Sequence, residues 1–392
     1  MKVRAESERL EQASRFLSAA TVGGRATALP ILSYVLLDAT EENVLRMAAT
    51  NLTVWLEWRV AAEIEEPGKV AVPAREWRGL CVRQESESVR LEAPDDADLS
   101  GRLTFSFGRA QYQLPILSAD EFPLSPEETK WGPTASVDGQ RLAEALRKVL
   151  FCVSTDPTMG VFTGIHFRKE KTEAPLDIVA TDTNRMSLVT DPEISFPIVH
   201  LTLPAAPMKI LTSLLSATPA VECSVNSDQT LASFSTDTWK MIVSALHGSF
   251  VPNYRKVIPA EFSWEIALSA EDLLAPLRRM TVFQAAASRH PLRIAFRLDL
   301  ESPDLEIAAL SSELGGLEEV GRELVPIERR KAESDQLKIA FQHRFLAEYL
   351  SVAKGGNLIA QFVSSDKQAV WRVSEDDTWL YVVMPVHLPG QE

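Results

Sequence analysis

The densest polar cluster in the chain is Thr181-Asp182-Thr183-Asn184-Arg185, which carries a carboxylate, a guanidinium, an amide and two hydroxyls in consecutive residues. After an apolar run, such a knot can work as an acid–base constellation or as a turn whose Asp and Arg pair or cap locally. A second stretch, Asp95-Asp96-Ala97-Asp98-Leu99-Ser100-Gly101, sets Asp96, Asp98, Ser100 and Gly101 at positions one, three, five and six of a calcium loop. Position twelve is Phe107, where a bidentate Glu is needed, so the stretch reads as a polar hairpin turn. His166, His200, His247, His290, His343 and His387 show no metal spacing, and GxSxG, GxGxxG, P-loop and HExxH motifs are absent. The residue types therefore indicate no enzyme, no metal and no cofactor.

Cys81, Cys152 and Cys223 are odd in number and far apart, which fits a reducing compartment rather than a disulfide framework. The N-terminus, MKVRAESERLEQ, is charged and amphipathic, and no uncharged apolar run approaches the roughly 18 residues that span a bilayer. A soluble cytoplasmic protein is expected. The net charge of −14 argues at first against a nucleic-acid partner. Its distribution is uneven. Six helical runs, residues 6–20, 73–84, 137–150, 205–216, 269–281 and 341–354, carry +4 together, leaving −18 elsewhere. Because salt limits exposed charges to a reach of roughly 8–10 Å, a helical face can be basic on an acidic body.

The elements that position these residues recur. Leu10, Leu142 and Leu273 head similar amphipathic runs at nearly equal steps. Val72-Pro73-Ala74 returns as Leu203-Pro204-Ala205, and Ala49-Thr50-Asn51 as Ala180-Thr181-Asp182, both at that same step. Three phrases sharing one period, which falls at the commonest domain size, predict three similar domains, each large enough for its own core. Pro-rich linkers at 122–133 and 252–262 place the boundaries at 1–128, 129–261 and 262–392. Ser7, Asp138 and Ser269 are candidate helix caps. Pro276 predicts a kink or a late start in the fifth helix. Candidate strands at 34–37, 44–48, 70–72, 102–107, 165–167, 176–179, 294–298 and 380–384 complete an α+β domain with two helices on antiparallel sheet. The eight tryptophans are expected mainly in cores.

Several phrases carry a resemblance: LPILSYVLL at 29–37, VPAREW at 72–77, FTGIHF and VATDTNRMSLV within 162–189, PNYRKVIP at 252–259, and YVVMPVHL at 381–388. Over the whole chain the sequence resembles the bacterial β sliding clamp, the processivity subunit of the replicative DNA polymerase. The resemblance implies a homodimeric head-to-tail ring of six domains, with helices lining a hole that double-stranded DNA threads without being read in sequence. Weak phosphate contacts would let such a ring slide. It also implies Arg25, Arg75, Arg78, Arg147, Lys148 and Arg279 as inner-face charges. Ala205 and Ala206 stand where the family has basic residues.

By the same resemblance, a pocket for peptide motifs of the polymerase and the clamp loader maps onto Phe162, Thr181, Thr183, Asn184, Arg185, Met186, Pro252, Lys256, Val257, His290, Gln342, Phe345, Val382, Val383, Met384, Pro385, Val386 and Leu388. Several positions depart from the family pattern: Thr183-Asn184 for Gly-His, Met186 for Leu, Lys256 for Arg, and Val386-His387 for Met-Arg. The tail Pro389-Gly390-Gln391-Glu392 runs beyond the usual end. Dimer closure points to the strand 109–114, with Tyr112 and Leu114 as anchors, meeting the region of Gln284 and Ala285. Tyr112 can equally be a core residue. The departures leave open a rival within the family, a divergent clamp for a specialised polymerase or inhibitor resistance, and Asp182 or the Asp96 loop leaves open one from another class, a monomeric metal-binding hydrolase.

Overall fold

The computed structural model describes residues 1–23, 29–83, 86–94, 101–123, 125–126, 129–170, 174–194, 196–197, 200–284, 291–311 and 317–387. Arg25, the Asp96 loop, Ala285, His290 and Leu388 lie outside these. Six α-helices are present among the described residues: α1 (Ser7–Ala19), α2 (Ala74–Arg83), α3 (Gly139–Leu150), α4 (Ala205–Leu215), α5 (Ala270–Met280) and α6 (His343–Ala353). The remainder of the regular structure is almost entirely antiparallel strand, and the class is α+β. The chain forms two compact units, Met1–Ala143 with Ile194–Leu246, and Glu144–Glu193 with His247–Glu392.

In the first unit one sheet runs in the order Ala110–Pro115, Arg102–Phe107, Ser88–Glu92, Lys2–Glu6, Val54–Glu66, Trp239–Ser244, Leu231–Ser235, Ala220–Val225, Ala135–Asp138. The long strand Val54–Glu66 joins its two halves, pairing Ala5 with Ala62 toward one end and Ile242 with Trp55 at the other. Its first five residues, Val54–Trp58 with the charged Glu57 among them, are buried and most of the rest alternate, so a buried run passes into a half-exposed one along a single strand. Of the apolar stripe Leu10, Ala13, Phe16 and Leu17 that the helical spacing of α1 predicts, Leu10, Ala13 and Leu17 are fully enclosed and Phe16 is half-buried, and each enclosed leucine contributes about 1.5–3 kcal/mol through burial. From α2, Trp77 meets Phe105 edge-on at 5.6 Å.

In the second unit the sheet order is Gly164–Arg168, Leu176–Thr181, Arg185–Asp191, Asp376–Val383, Ala369–Val373, Asn357–Phe362, Trp264–Ser269, Glu328–Ala332. A second sheet runs Glu318–Pro326, Asp304–Ser311, Arg293–Asp299, Gln336–Gln342. Tyr349 of α6 stacks on Tyr381 at 4.5 Å, with Trp371 and Trp379 against the same ring.

Caps differ in detail from expectation. Ser269 does cap α5, accepting from the Glu271 and Asp272 N–H groups, and Asp138 accepts from Arg141 N–H at 2.8 Å. Ser7 is instead the first helical residue of α1 and makes no cap bond, because Glu6 occupies the N-cap position. The fifth helix starts at Ala270 and runs through Pro276 without interruption, so no late start occurs. All three cysteines are free and buried, and burial pushes their thiol pKa values up.

Candidate functional site

The polar knot at 181–185 is a turn between two paired strands. Thr181 Oγ1 donates to the Arg185 carbonyl at 2.6 Å and accepts from Thr183 N–H at 3.1 Å. Asp182 Oδ1 accepts from the Asn184 and Arg185 N–H groups at 3.0 and 3.1 Å. These bonds hold Thr183 at φ 74°, a left-handed conformation that disfavours β-branched side chains. The local-pairing reading therefore describes the geometry.

Arg185 is 4% exposed. Its guanidinium lies 2.9 Å from Asp182 Oδ2 and 2.6 Å from Glu348 Oε2 of α6, donates to the Phe151 carbonyl at 2.7 Å, and covers the Phe345 ring at 4.4 Å. Burial opposes its charge, but the surrounding groups, Glu348 and Asp182 among them, raise its pKa overall. With two carboxylates already on it, Arg185 is a wall rather than an anion site.

That wall bounds a recess of about 220 Å3. Met186 and Val382 face each other in register across paired strands, and Met384 follows, its N–H bonded to the Asn184 carbonyl at 2.8 Å. Phe162 enters from the 3-10 segment Pro157–Thr163, and Val251, Tyr254 and Val257 from the segment around Tyr254–Val257. Met384, Val251 and Val257 are each a little over two-fifths exposed, so apolar carbon reaches the mouth. Tyr254 is fixed by donation to Asp177 at 2.5 Å, and burial, together with this acceptor, pushes its phenol pKa up.

Phe162, Thr181, Thr183, Asn184, Arg185, Met186, Val257, Val382 and Met384 are thus brought together. The other expected lining residues that are described do not line this recess, and His290 and Leu388 lie outside the described residues. Phe345 is buried beneath Arg185, and Val383 is fully buried because strand alternation turns it to the opposite face. The Val386 N–H bonds to the Ala340 carbonyl and its side chain packs on the Ala295, Ala308 and Ala340 cluster, with half-buried Pro385 leading to it. Gln342 is the N-cap of α6. Pro252 accepts from Arg168 through its carbonyl, and Lys256 is exposed. Val251 and Tyr254 were not anticipated. With Val257 they recur every third residue, the period of a 3-10 helix, and that spacing is legible in the sequence.

Among the basic residues, Arg75 and Arg78 are exposed on α2, and Arg147 on α3. Lys148 is 15% exposed in its side chain and holds Asp376 at 2.7 Å and Glu144 at 2.9 Å, while Arg279 pairs with Glu323. Tyr112 is 45% exposed and stacks on Phe107 at 5.9 Å. Leu114, expected beside it as an interface anchor, is 6% exposed and belongs to the core of its own unit, where it faces Leu103. Gln284 is exposed, next to exposed Val282 and Phe283.

Known proteins share this architecture and sequence. The family models for the N-terminal and C-terminal domains of the DNA polymerase III β subunit match residues 3–126 and 255–387. The β sliding clamp of Synechococcus elongatus is 30% identical over 366 residues, covering 92% of each chain. The chain belongs to the bacterial β sliding clamp family. Its function is that of a DNA sliding clamp, and neither a monomeric metal-binding hydrolase nor a divergent paralogue for a specialised polymerase or inhibitor resistance is favoured by these matches. The β sliding clamp of Vibrio cholerae is 27% identical, with 94% of this chain and 95% of that one covered. Two solved clamps share the fold. The Thermotoga maritima β subunit aligns with a TM-score of 0.85 at 23% identity over 99% of both chains. The Pseudomonas aeruginosa clamp bound to griselimycin aligns equally well, with a TM-score of 0.85 and 23% identity over 99% of this chain and 100% of that one. Among the described residues no group of His, Cys, Asp or Glu is arranged to hold a metal, and no helix is long and apolar enough to cross a membrane.

Proposed function

We propose that two copies of this chain close head to tail into a ring around duplex DNA, and that the ring tethers polymerase and clamp loader through short peptide motifs without catalysing a reaction itself. Each copy supplies three domains, 1–128, 129–261 and 262–392. The recurrence of two helices per repeat and the family matches flanking the middle third support this division. The α-helices face the DNA. Arg75, Arg78, Arg147, Lys148 and Arg279 make screened phosphate contacts there, with Arg25, and of these Lys148 and Arg279 also pair with carboxylates. Cytoplasmic placement fits a protein that works on the chromosome.

The observation that carries partner binding is the recess at Thr181–Met186. Its floor is apolar, the Arg185 charge in its wall is neutralised, and Met384 offers an adaptable sulfur-bearing side chain at the mouth. A peptide side chain of Leu or Phe type fits that chemistry. For closure, the strand Ala110–Pro115 is outermost in its sheet and Glu318–Pro326 is outermost in the four-stranded sheet, each leaving an edge available for pairing between copies. Tyr112 on one side and the Phe283–Gln284 region on the other supply contact surface.

Loading onto a nicked circular duplex tests the ring. Retention should survive high salt and disappear when the circle is cut, since topology rather than charge holds the protein. Retention that falls with salt and ignores cutting would overturn the proposal.

A further inference from the structure

One wall of the recess at Thr181–Met186 is built differently from the others. Thr181, Met186 and Val382 belong to paired strands, whose backbone ladder fixes them. Val251, Tyr254 and Val257 come from a segment outside the strands. Its backbone bonds among the described residues, Lys256 N–H to the Asn253 carbonyl and Ile258 N–H to the Arg255 carbonyl, stay inside the segment. Side chains therefore hold it in place.

The densest of these ties converges on one carboxylate. Asp177, 3% exposed, accepts from Tyr254 Oη at 2.5 Å, from Arg255 Nε at 2.8 Å and Nη2, and from Thr190 Oγ1 at 2.7 Å. Each carboxylate oxygen takes two donors, which is what a buried anion requires. Strand alternation puts positions 177, 179 and 181 on one face, so the face that brings Thr181 to the recess brings Asp177 to Tyr254, roughly 13 Å along the strand. The remaining polar ties are Arg168 to the Pro252 carbonyl and Gln368 to the Val257 carbonyl at 2.6 Å, both exposed, where water competes.

The repeated fold does not itself need this acid. In the first unit Thr50 Oγ1 donates to the Val54 carbonyl at 2.8 Å and accepts from Leu52 N–H at 3.0 Å, as Thr181 does with Arg185 and Thr183, so positions one repeat apart correspond. At the positions of Asp177 and Thr190 stand Arg46 and Arg59, which likewise face each other in register. Arg46 is held there by Asp38 and Glu57. The buried carboxylate is thus particular to the repeat that carries the Thr181–Met186 recess.

We propose that Asp177 is a positioning residue for partner-peptide binding. It does not line the recess; by holding Tyr254 and Arg255 it sets where the Val251–Tyr254–Val257 wall stands, and with it the width open to a peptide side chain. The inference rests on reading the Thr181–Met186 recess as the peptide pocket.

The test titrates the full chain, labelled with methyl-13C methionine, with acetyl-Leu-Phe-amide. Met384→Leu assigns the Met384 methyl, whose saturable shift gives the dissociation constant of the folded protein. Asp177→Asn keeps the side-chain shape but cannot accept from all four donors, and it should weaken binding about tenfold. Tyr254→Phe keeps the ring in the recess and removes only its tie, and it should weaken binding about threefold. The two effects should overlap, so that the double variant binds no more weakly than Asp177→Asn alone. A merely structural role would lower the urea midpoint while leaving the affinity of the folded variants at the wild-type value, and that result overturns the inference. Additive losses overturn it as well, since Asp177 would then act independently of Tyr254. If Asp177→Asn does not fold, Tyr254→Phe decides alone, a threefold loss supporting the proposal and unchanged affinity overturning it. A wild-type Met384 signal that saturates while both variants bind normally leaves the peptide reading standing and removes only the role of Asp177. A silent wild-type signal overturns the peptide reading and this inference with it.

Discussion

The Lys148 ammonium lies 2.7 Å from the Asp376 carboxylate, joining α3 to the strand Asp376–Val383 across 228 residues of sequence. Burial alone would raise the Asp376 pKa, but the bonds from Lys148 and Thr378 hold it below the usual carboxylate range. Its folded value is thus lower than its unfolded one. The stability it provides is complete above about pH 5 and is lost as pH falls through the folded pKa. Asp376→Asn should cost about 1–3 kcal/mol at pH 7 in urea unfolding, and the deficit against wild type should shrink between about pH 5 and pH 3. A deficit independent of pH would assign the loss to packing.

Arg185→Lys should behave almost as badly as Arg185→Ala. The planar guanidinium serves Asp182, Glu348 and the Phe151 carbonyl while lying flat on Phe345, and an ammonium cannot make that set. Both variants are expected to lose about 3–5 kcal/mol, read as a lower denaturant midpoint at unchanged slope. Full rescue by Lys would contradict the geometry.

Thr183→Gly should stabilise the chain by up to about 1 kcal/mol. The left-handed conformation costs a β-branched residue about 1–2 kcal/mol, and glycine returns part of that gain as backbone entropy. Thermal melting measures it, and a lower midpoint would show that the Thr183 side chain contributes packing worth more than the strain.

Met384→Ala should weaken a polymerase-tail peptide about tenfold with little change in stability, because the side chain is 42% exposed at the recess mouth. Fluorescence anisotropy with a labelled peptide gives the ratio. Unchanged affinity would remove Met384 from the site.

Tyr112→Asp should shift sedimentation equilibrium from two chains toward one without unfolding the first unit, since Tyr112 is the exposed end of an otherwise buried row that includes Leu114 and Leu103. A single-chain mass for the wild type at micromolar concentration would instead remove the ring itself.

Much of this was legible as repetition. The phrase Ala-Thr-Asn/Asp, recurring one repeat later, marks two turns whose hydrogen bonds coincide atom for atom, because the side chains that build the turn are local to it. The stripe Leu10, Ala13, Phe16, Leu17 is legible for the same reason, although Phe16 is only half-buried, stacked on Trp58 at 5.6 Å, while the other three are enclosed. What stayed hidden depends on distant partners. Nothing near Lys148 announces Asp376, and a family charge position became an internal ion pair. Val383 and Leu114 look like surface candidates until the pleat and the neighbouring strand decide which way they face. The strand Val54–Glu66 escaped notice because its apolar half and its charged half follow different patterns.

Cys81, Cys152 and Cys223 are all fully enclosed, with thiolate formation disfavoured by burial. A maleimide dye should therefore find almost nothing to react with on the native chain. The natural sequence is already a dark background for site-specific labelling, and a single surface cysteine, as in Arg109→Cys or Gln284→Cys, would report opening of the proposed ring by fluorescence with no need to remove the native thiols first.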